Sequence, residues 1–217
     1  MCKETDKRSQ VQNRSTSPAS LRDFVGKIIK RLFLAVKSIW IYVRLNIRYG
    51  KYIKMSAVNS IKGKLTVELL PKSSLQVGAF LMSAGPCYIK CTERALCKTG
   101  EKVFVNHNCS ITCVEEITIG DYCNIANNVV IVDHDHRLGR DGVEDGLEST
   151  PVHIGNNVWI GANSTVCGGV TIGEGSIIGA GSVVNKDIPE GVIAVGNPCR
   201  VLRKITDEDL VKLYHNI

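Results

Sequence analysis

The sequence predicts an all-β chain wound into a parallel β-helix, and three regularities carry that expectation. Large aliphatic residues recur every six positions, at Ile119, Ile125 and Ile131 and again at Ile154, Ile160, Val166, Ile172, Ile178 and Val184. The residue after the aliphatic is small in most hexads, as at Gly120, Ala126, Gly155, Gly161, Gly173 and Gly179. Four positions after the aliphatic stands a second small or β-branched residue: Cys123, Val129, Val158, Ser164, Val170, Ser176 and Ser182. A period of six matches neither the 3.6 of a helix nor the 2 of a strand, so each hexad reads as one short strand plus a corner. Three such faces close one triangular coil. Stacked coils set each aliphatic above its counterpart, and the small residue after it is expected to supply the tight corner. No repeat can bury its own face alone, so the array is the fold.

The rest of the chain falls into place around this array. Residues 1–19 are polar and read as a disordered lead. Residues 20–54 form a basic arm in which Leu21, Phe24, Val25, Ile28, Leu32, Ala35, Val36, Ile39, Trp40 and Val43 keep the spacing of an amphipathic helix. The β-helix is expected over 55–205, with degraded coils before residue 119. Ile131 and Ile154 are 23 residues apart, 17 more than a hexad. The polar, glycine-rich segment at about 135–152 must therefore loop out of the prism. At the far end the period stops, and Thr206 followed by Asp209 reads as the cap of a short helix over 206–217.

Composition limits the alternatives. At 217 residues and 44% hydrophobic, the chain is large enough for one well-buried domain with an appendage. Of its 27 Lys and Arg, 13 lie in residues 1–54 against only Glu4, Asp6 and Asp23, so the net charge of +6 belongs to the arm. A basic amphipathic arm suits peripheral contact with an anionic membrane through residues 21–48, and no nucleic-acid partner is expected. Arg22, Lys27, Lys30, Arg31, Lys37, Arg44 and Arg48 break every apolar run well short of the ~18 residues that a crossing needs. Nine cysteines without CxxC pairs, and a polar N-terminus without a signal-peptide pattern, suggest a reducing cytoplasm with thiols serving as small hydrophobes.

The stretch "IGNNVWIGANSTVCGGVTIGEGSIIGAGSVVNKDIPEGVIAVGNPCRVLRKI" at 154–205 resembles the hexapeptide-repeat O-acetyltransferases of the maltose and galactoside group. The "DHDH" of 133–136 resembles the branch that modifies capsule or lipopolysaccharide sugars. The resemblance is strong over about 103–205, weak over 55–102 and absent in the arm. It implies a left-handed parallel β-helix, a homotrimer with sites between neighbouring subunits, acetyl-CoA as donor and no metal. It places the catalytic histidine on His136, with His134 as a second candidate, and the acceptor-contacting asparagine on Asn106. Asp133 and Trp159 are further candidates for the substrate site. Cys113 stands where several sugar-modifying relatives carry an acidic residue, which argues against a maltose-like acceptor. For the donor, the resemblance implies that pantetheine runs along Gly161, Ala162, Gly179 and Ala180, then Asn185 and Lys186. Arg200 and Arg203 are expected near the adenosine end.

The chemistry suits these residue types. An alcohol attacks a thioester only as its proton leaves, and a neutral imidazole accepts that proton and can return it to the departing thiolate. Backbone N–H groups near Gly161 or Ala162 would hold the oxyanion. A thin pantetheine arm reaches backbone amides only where side chains are small. Acceptors other than a sugar hydroxyl are an amino-sugar nitrogen, an antibiotic or serine. A zinc lyase of the γ-carbonic anhydrase type would need three histidines from His107, His134, His136 and His153, whose spacing does not match that family. A non-catalytic scaffold would have no use for the acetyl-CoA tract.

Overall fold

The computed structural model describes residues 21–209. The lead expected at 1–19 and most of the C-terminal helix expected at 206–217 lie outside the described residues. The chain divides into two units, one ending at Phe33 and one beginning at Leu34. Within the first, Leu21 to Phe33 are helical and present exposed apolar side chains between basic ones.

The second unit is a left-handed parallel β-helix of three sheets, whose strand orders step through the chain by threes. The first face holds Ile53–Met55, Ser74–Val77, Leu96–Thr99, Glu116–Ile119, Val152–Ile154 and Thr171–Ile172. The second holds Ser60–Ile61, Met82–Ser83, Phe104–Val105, Asn124–Ile125, Trp159–Ile160, Ile177–Ile178 and Val192–Val195. The third holds Leu65–Leu69, Cys87–Cys91, Cys109–Cys113, Val130–Val132, Thr165–Val166 and Val183–Val184. The register makes the aliphatic ladders explicit. Ile119 pairs with Ile154 and Ile154 with Ile172; Ile125, Ile160 and Ile178 stack likewise; so do Ile131, Val166 and Val184. All nine are buried. At about 1.5–3 kcal/mol for each fully buried side chain of this size, the ladders are the main source of cohesion. The coils before residue 119, where the period fades, use the same geometry with cysteine in the ladder. Leu69, Cys91 and Cys113 form one column and Cys87 and Cys109 another. Burial pushes the Cys123 thiol up to about 11, consistent with thiols that act as small hydrophobes.

The corners differ from the expectation in one respect. The residue after the aliphatic is not the one that turns the chain. Left-handed φ values fall two positions later, at Asn157, Asn163, Gly169, Gly175 and Gly181. Asparagine and glycine recur there because they tolerate that region best. The small residue after the aliphatic has a different cause, which is the closeness of stacked coils. A Cβ on Gly155 would lie 2.7 Å from the backbone nitrogen of Glu174, and one on Gly161 would lie 2.5 Å from that of Ala180. The second small position points into the prism, and Ser164, Ser176 and Ser182 each satisfy the hydroxyl on a backbone carbonyl.

Two further segments take a form that the sequence reading does not specify. The protruding segment is an antiparallel hairpin, His134–Gly139 against Gly142–Ser149, whose register shifts between His136 and Leu138. After the last coil the chain does not leave the prism at once. Arg200–Lys204 runs antiparallel to Val192–Val195 and extends the second sheet, following the cis Asn197–Pro198 bond. The Thr206 cap takes the expected form: the Asp209 carboxylate accepts the Thr206 N–H at 2.9 Å, and a helical turn starts at Asp207.

The N-terminal end of the prism is closed by the part of helix α1 (Leu21–Tyr49) that lies in the second unit, from Leu34 onward. Within the second unit its residues Ser38, Ile41 and Leu45 are buried, and Ile41 and Leu45 join the solenoid core. Ser60–Ile61 and Leu65–Leu69 are the outermost strands of their sheets. The Ser38 hydroxyl accepts the Ile61 N–H at 3.0 Å, and the Tyr49 hydroxyl donates to the Val67 carbonyl. The helix thus takes up edge groups that have no earlier coil to pair with. Among the described residues, no helix is long and apolar enough to cross a membrane.

Candidate active site

The expected site residues fall on two edges of the prism. At the corner between the second and third faces, Asn106, Ala126, Gly161 and Gly179 form one column, each following a residue of the paired series Val105, Ile125, Ile160 and Ile178. Their N–H groups bond coil to coil, Asn106 to Ile125 O, Ala126 to Ile160 O and Gly161 to Ile178 O, at 2.8 to 2.9 Å. Gly161 is buried, Ala162 half-buried and Ala180 exposed, so around the tightly packed glycines the column offers a side-chain-poor surface. Asn106 is half-buried, and its Oδ1 accepts from the N–H of His107 at 3.0 Å and lies 2.7 Å from its Nδ1.

The second edge lies between the third and first faces. Cys167 follows Val166 and Asn185 follows Val184 in the same ladder, so Asn185 stands one coil from Cys167, with Lys186 next to it. Gly168 packs on the backbone of Asp133, where a Cβ would lie 3.0 Å from the Asp133 carbonyl carbon. The hairpin leaves from this point, carrying His134 and His136. Arg200 reaches the same edge, with Nη1 donating to Asn185 Oδ1 at 3.4 Å and to the Cys199 carbonyl at 2.6 Å. Within one chain the third sheet lies between the histidine edge and the Gly161–Gly179 column.

Asp133, a sequence candidate for the substrate site, turns its carboxylate inward. It is completely buried, in line with Cys113 in the ladder of the third face. Its carboxylate accepts from the N–H of Val114 at 2.8 Å and of Glu115 at 2.8 Å, and the Cys113 thiol donates to it at 3.5 Å. The neighbouring Cys91 thiol, burial and the Asp133 charge hold the Cys113 thiol well above its usual range. The remaining partner of Asp133 is His134, whose Nδ1 lies 3.2 Å from Oδ1. A carboxylate on Nδ1 fixes the ring orientation and leaves Nε2 as the outward nitrogen. His136, two residues on and opposite Leu147 in the hairpin, is exposed.

The other candidates are scattered. Trp159 projects from the second face in a row with Asn124 and Ile177 and is 42% exposed. Arg203 donates to Asp209 through both terminal guanidinium nitrogens, Nη1 and Nη2, and this pairing, led by the Arg203 hydrogen bond, holds the Asp209 carboxyl well below the usual carboxylate range. Its charge is therefore already engaged. His153 sits outside the first face, 2.8 Å from the Thr118 hydroxyl. Among the described residues, no three His, Cys, Asp or Glu side chains gather as a metal site would require. Sequence reasoning missed the half-buried thiol of Cys167 at the hairpin edge and the link between Arg200 and Asn185. Both depend on coil-to-coil stacking of residues 15 to 35 positions apart.

Comparison with known proteins bears on the fold and the family. The family model described as bacterial transferase hexapeptide (six repeats) matches residues 151–186. The galactoside O-acetyltransferase of Lactococcus lactis is 35% identical over 150 residues, covering 69% of this chain and 72% of that protein. The galactoside O-acetyltransferase of Escherichia coli is 46% identical over 111 residues, 51% of this chain and 55% of its own. A putative acetyltransferase of Saccharomyces cerevisiae is 48% identical over 111 residues, 51% of this chain and 57% of its own. The chain thus spans little more than half the length of these last two relatives. Among solved structures, a galactoside acetyltransferase in complex with coenzyme A superposes with a TM-score of 0.53 at 28% identity, over 86% of this chain and 84% of that one. A maltose O-acetyltransferase from Clostridium difficile gives 0.51 at 28% identity, over 80% and 89%.

Proposed function

Since the chain belongs to the hexapeptide-repeat acetyltransferase family, we propose that it transfers the acetyl group of acetyl-CoA to a hydroxyl of a saccharide, with a histidine as general base. The observation that supports this most directly is the pair of edges. One carries a side-chain-poor column of small residues, and the other carries two histidines on a hairpin beside Asn185 and Arg200. In a homotrimer, the hairpin edge of one copy meets the Gly161–Gly179 column of its neighbour and completes a site that one chain leaves split. Pantetheine lies along Gly161, Ala162, Gly179 and Ala180, and Arg200 with Lys186 offers positive charge to the CoA phosphates. His136 takes the proton of the acceptor hydroxyl as it attacks the thioester carbonyl, and the CoA thiolate leaves. Asn106 contacts the acceptor. The "DHDH" segment favours a capsule or lipopolysaccharide precursor over a free disaccharide.

The basic arm adds a location to this reading: residues 21–48 hold the enzyme peripherally on the anionic inner face of a membrane. The test of the reaction is a panel of saccharide and amino-sugar acceptors with acetyl-CoA, followed by free-thiol release and mass analysis of the product. An O-acetylated sugar with stoichiometric thiol supports the proposal. Thiol release only with amines, or none with any acceptor, overturns it.

A further inference from the structure

The arm and the prism are joined by a helix with two apolar sides, and only one of them has a partner among the described residues. Over Leu34 to Tyr49, the side that carries Ser38, Ile41 and Leu45 closes the first coil. On the opposite side, Val36, Trp40, Val43 and Ile47 recur at helical spacing and are 44–80% exposed. Positions 36, 40, 43 and 47 lie roughly 180° around the helix from 38, 41 and 45 at 3.6 residues per turn. The outer stripe therefore faces away from the end of the prism. It is bordered by Lys37, Arg44 and Arg48, and the Arg44 guanidinium lies 5.1 Å from the Trp40 ring. Residues 21–33, taken by themselves, repeat the composition, with Val25, Ile29 and Leu32 exposed among Lys27, Lys30 and Arg31.

We propose that this outer stripe seats the N-terminal end of the prism on an anionic lipid bilayer, so that the prism stands end-on and the candidate site is held above the surface. The proposal rests on the peripheral-membrane reading above and adds which face docks and how the protein stands. Charge selects the occupant. Residues 21–54 hold nine Lys and Arg against a single acid, Asp23, so packing this stripe on a second copy would gather like charges, whereas an anionic surface neutralises them. A tryptophan beside arginine on an apolar stripe also suits the boundary between head groups and acyl chains.

The geometry has a consequence for the acceptor. The helix caps the first coil, and the hairpin edge begins in the fourth, at Val130–Val132. At about 4.8 Å per coil, the site stands on the order of 15 Å above the first coil, and further still from the helix beneath it. A saccharide tethered to the same bilayer would be modified on a sugar well away from its lipid, not on the one attached to it.

The chain contains two tryptophans, Trp40 in the cap and Trp159 in the fifth coil, and they give the test. The full chain carrying Trp159→Phe is mixed with vesicles of phosphatidylcholine and phosphatidylglycerol that contain brominated lipid, and the Trp40→Phe chain is treated alike. End-on docking predicts a blue shift and quenching for Trp40 and neither for Trp159. Binding should weaken at least about tenfold without phosphatidylglycerol and weaken further in high salt. Val36→Glu with Val43→Glu should abolish co-sedimentation while the β-rich circular dichroism spectrum is kept. Equal quenching of both tryptophans would overturn the orientation. Absence of vesicle binding, or end-to-end association of trimers through the helix, would overturn the docking. Acetyl transfer to a soluble acceptor is measured separately, so failure of either result leaves the other standing.

Discussion

Asp133 and His134 are adjacent in sequence but belong to different environments: the carboxylate is sealed in the core, and the imidazole whose Nδ1 it meets at 3.2 Å lies at the root of an exposed hairpin. The same carboxylate takes the N–H groups of Val114 and Glu115 from the coil below. One buried side chain thus ties the prism to the histidine strand.

Replacing Asp133 with Ala is expected to cost about 1–3 kcal/mol, the usual range when a hydrogen-bonded buried group loses its partner. Urea unfolding of the two proteins measures it. Activity should also fall because His134 loses its fixed ring orientation. An unchanged midpoint with unchanged activity would show that the contact matters to neither.

For the proposed reaction, His136→Ala should lower kcat by at least about a hundredfold while acetyl-CoA binding persists. His134→Ala should have the smaller effect and act mainly on KM for the acceptor. Steady-state kinetics of both variants decide between them. A dead His134→Ala enzyme beside an active His136→Ala one would transfer the role of base to the residue that Asp133 holds.

Gly161 and Gly181 should respond differently to alanine. At Gly161 the added Cβ meets backbone atoms of the next coil at 2.5 to 2.8 Å, so stability should drop by about 1–3 kcal/mol and acetyl-CoA affinity should drop with it. At Gly181 nothing stands within 4 Å, and the only penalty is a φ of +72°, on the order of 1 kcal/mol. Thermal unfolding, with acetyl-CoA titration by calorimetry, separates the two.

Cys167 should be the first of the described thiols to alkylate, because the other seven are buried. Burial, followed by the nearby Asp135 charge, raises its pKa, so the reactive thiolate is scarce at neutral pH and labelling should accelerate as pH rises beyond the usual thiol range. Timed iodoacetamide labelling with peptide mapping tests the order. Bound CoA should slow the reaction if the donor follows the Asn185 edge.

The aliphatic period, the second small position and the Thr206 cap could be read from single residues because each is a local demand at fixed spacing. The role of the glycines was legible only in part. Composition shows that Gly161 must be small, but whether it turns the chain or lets coils approach depends on Ala180, nineteen residues away. The burial of Asp133 is hidden for a similar reason. In "DHDH" its alternation with histidine looks like an exposed loop, and only alignment with Cys113 puts the carboxylate inside the prism. The early coils are hidden in the sequence because cysteine at 87, 91, 109 and 113 replaces the aliphatics that mark the later ones. The strand Arg200–Lys204 carries no hexad signal at all, since its pairing with Val192–Val195 is antiparallel.

The hairpin is joined to the prism in a way that bears on how such a chain can change. The Thr150 N–H bonds to the Asp133 carbonyl at 2.8 Å, and the Gly169 N–H bonds to the Thr150 carbonyl at 2.9 Å, so departure and return are clasped at one point. Beyond it, Val152 stacks on Ile117 as if nothing had intervened. One residue inserted within a hexad would throw every later ladder out of step, whereas residues added between 136 and 149 leave the register untouched, and each doubling of the branch adds only about 0.6 kcal/mol of closure entropy. Length variation, grafting and exchange are therefore confined to the branch that carries His136, while the column of small residues stays fixed. On the proposed function, acceptor preference can drift in such a lineage without disturbing the surface assigned to the donor.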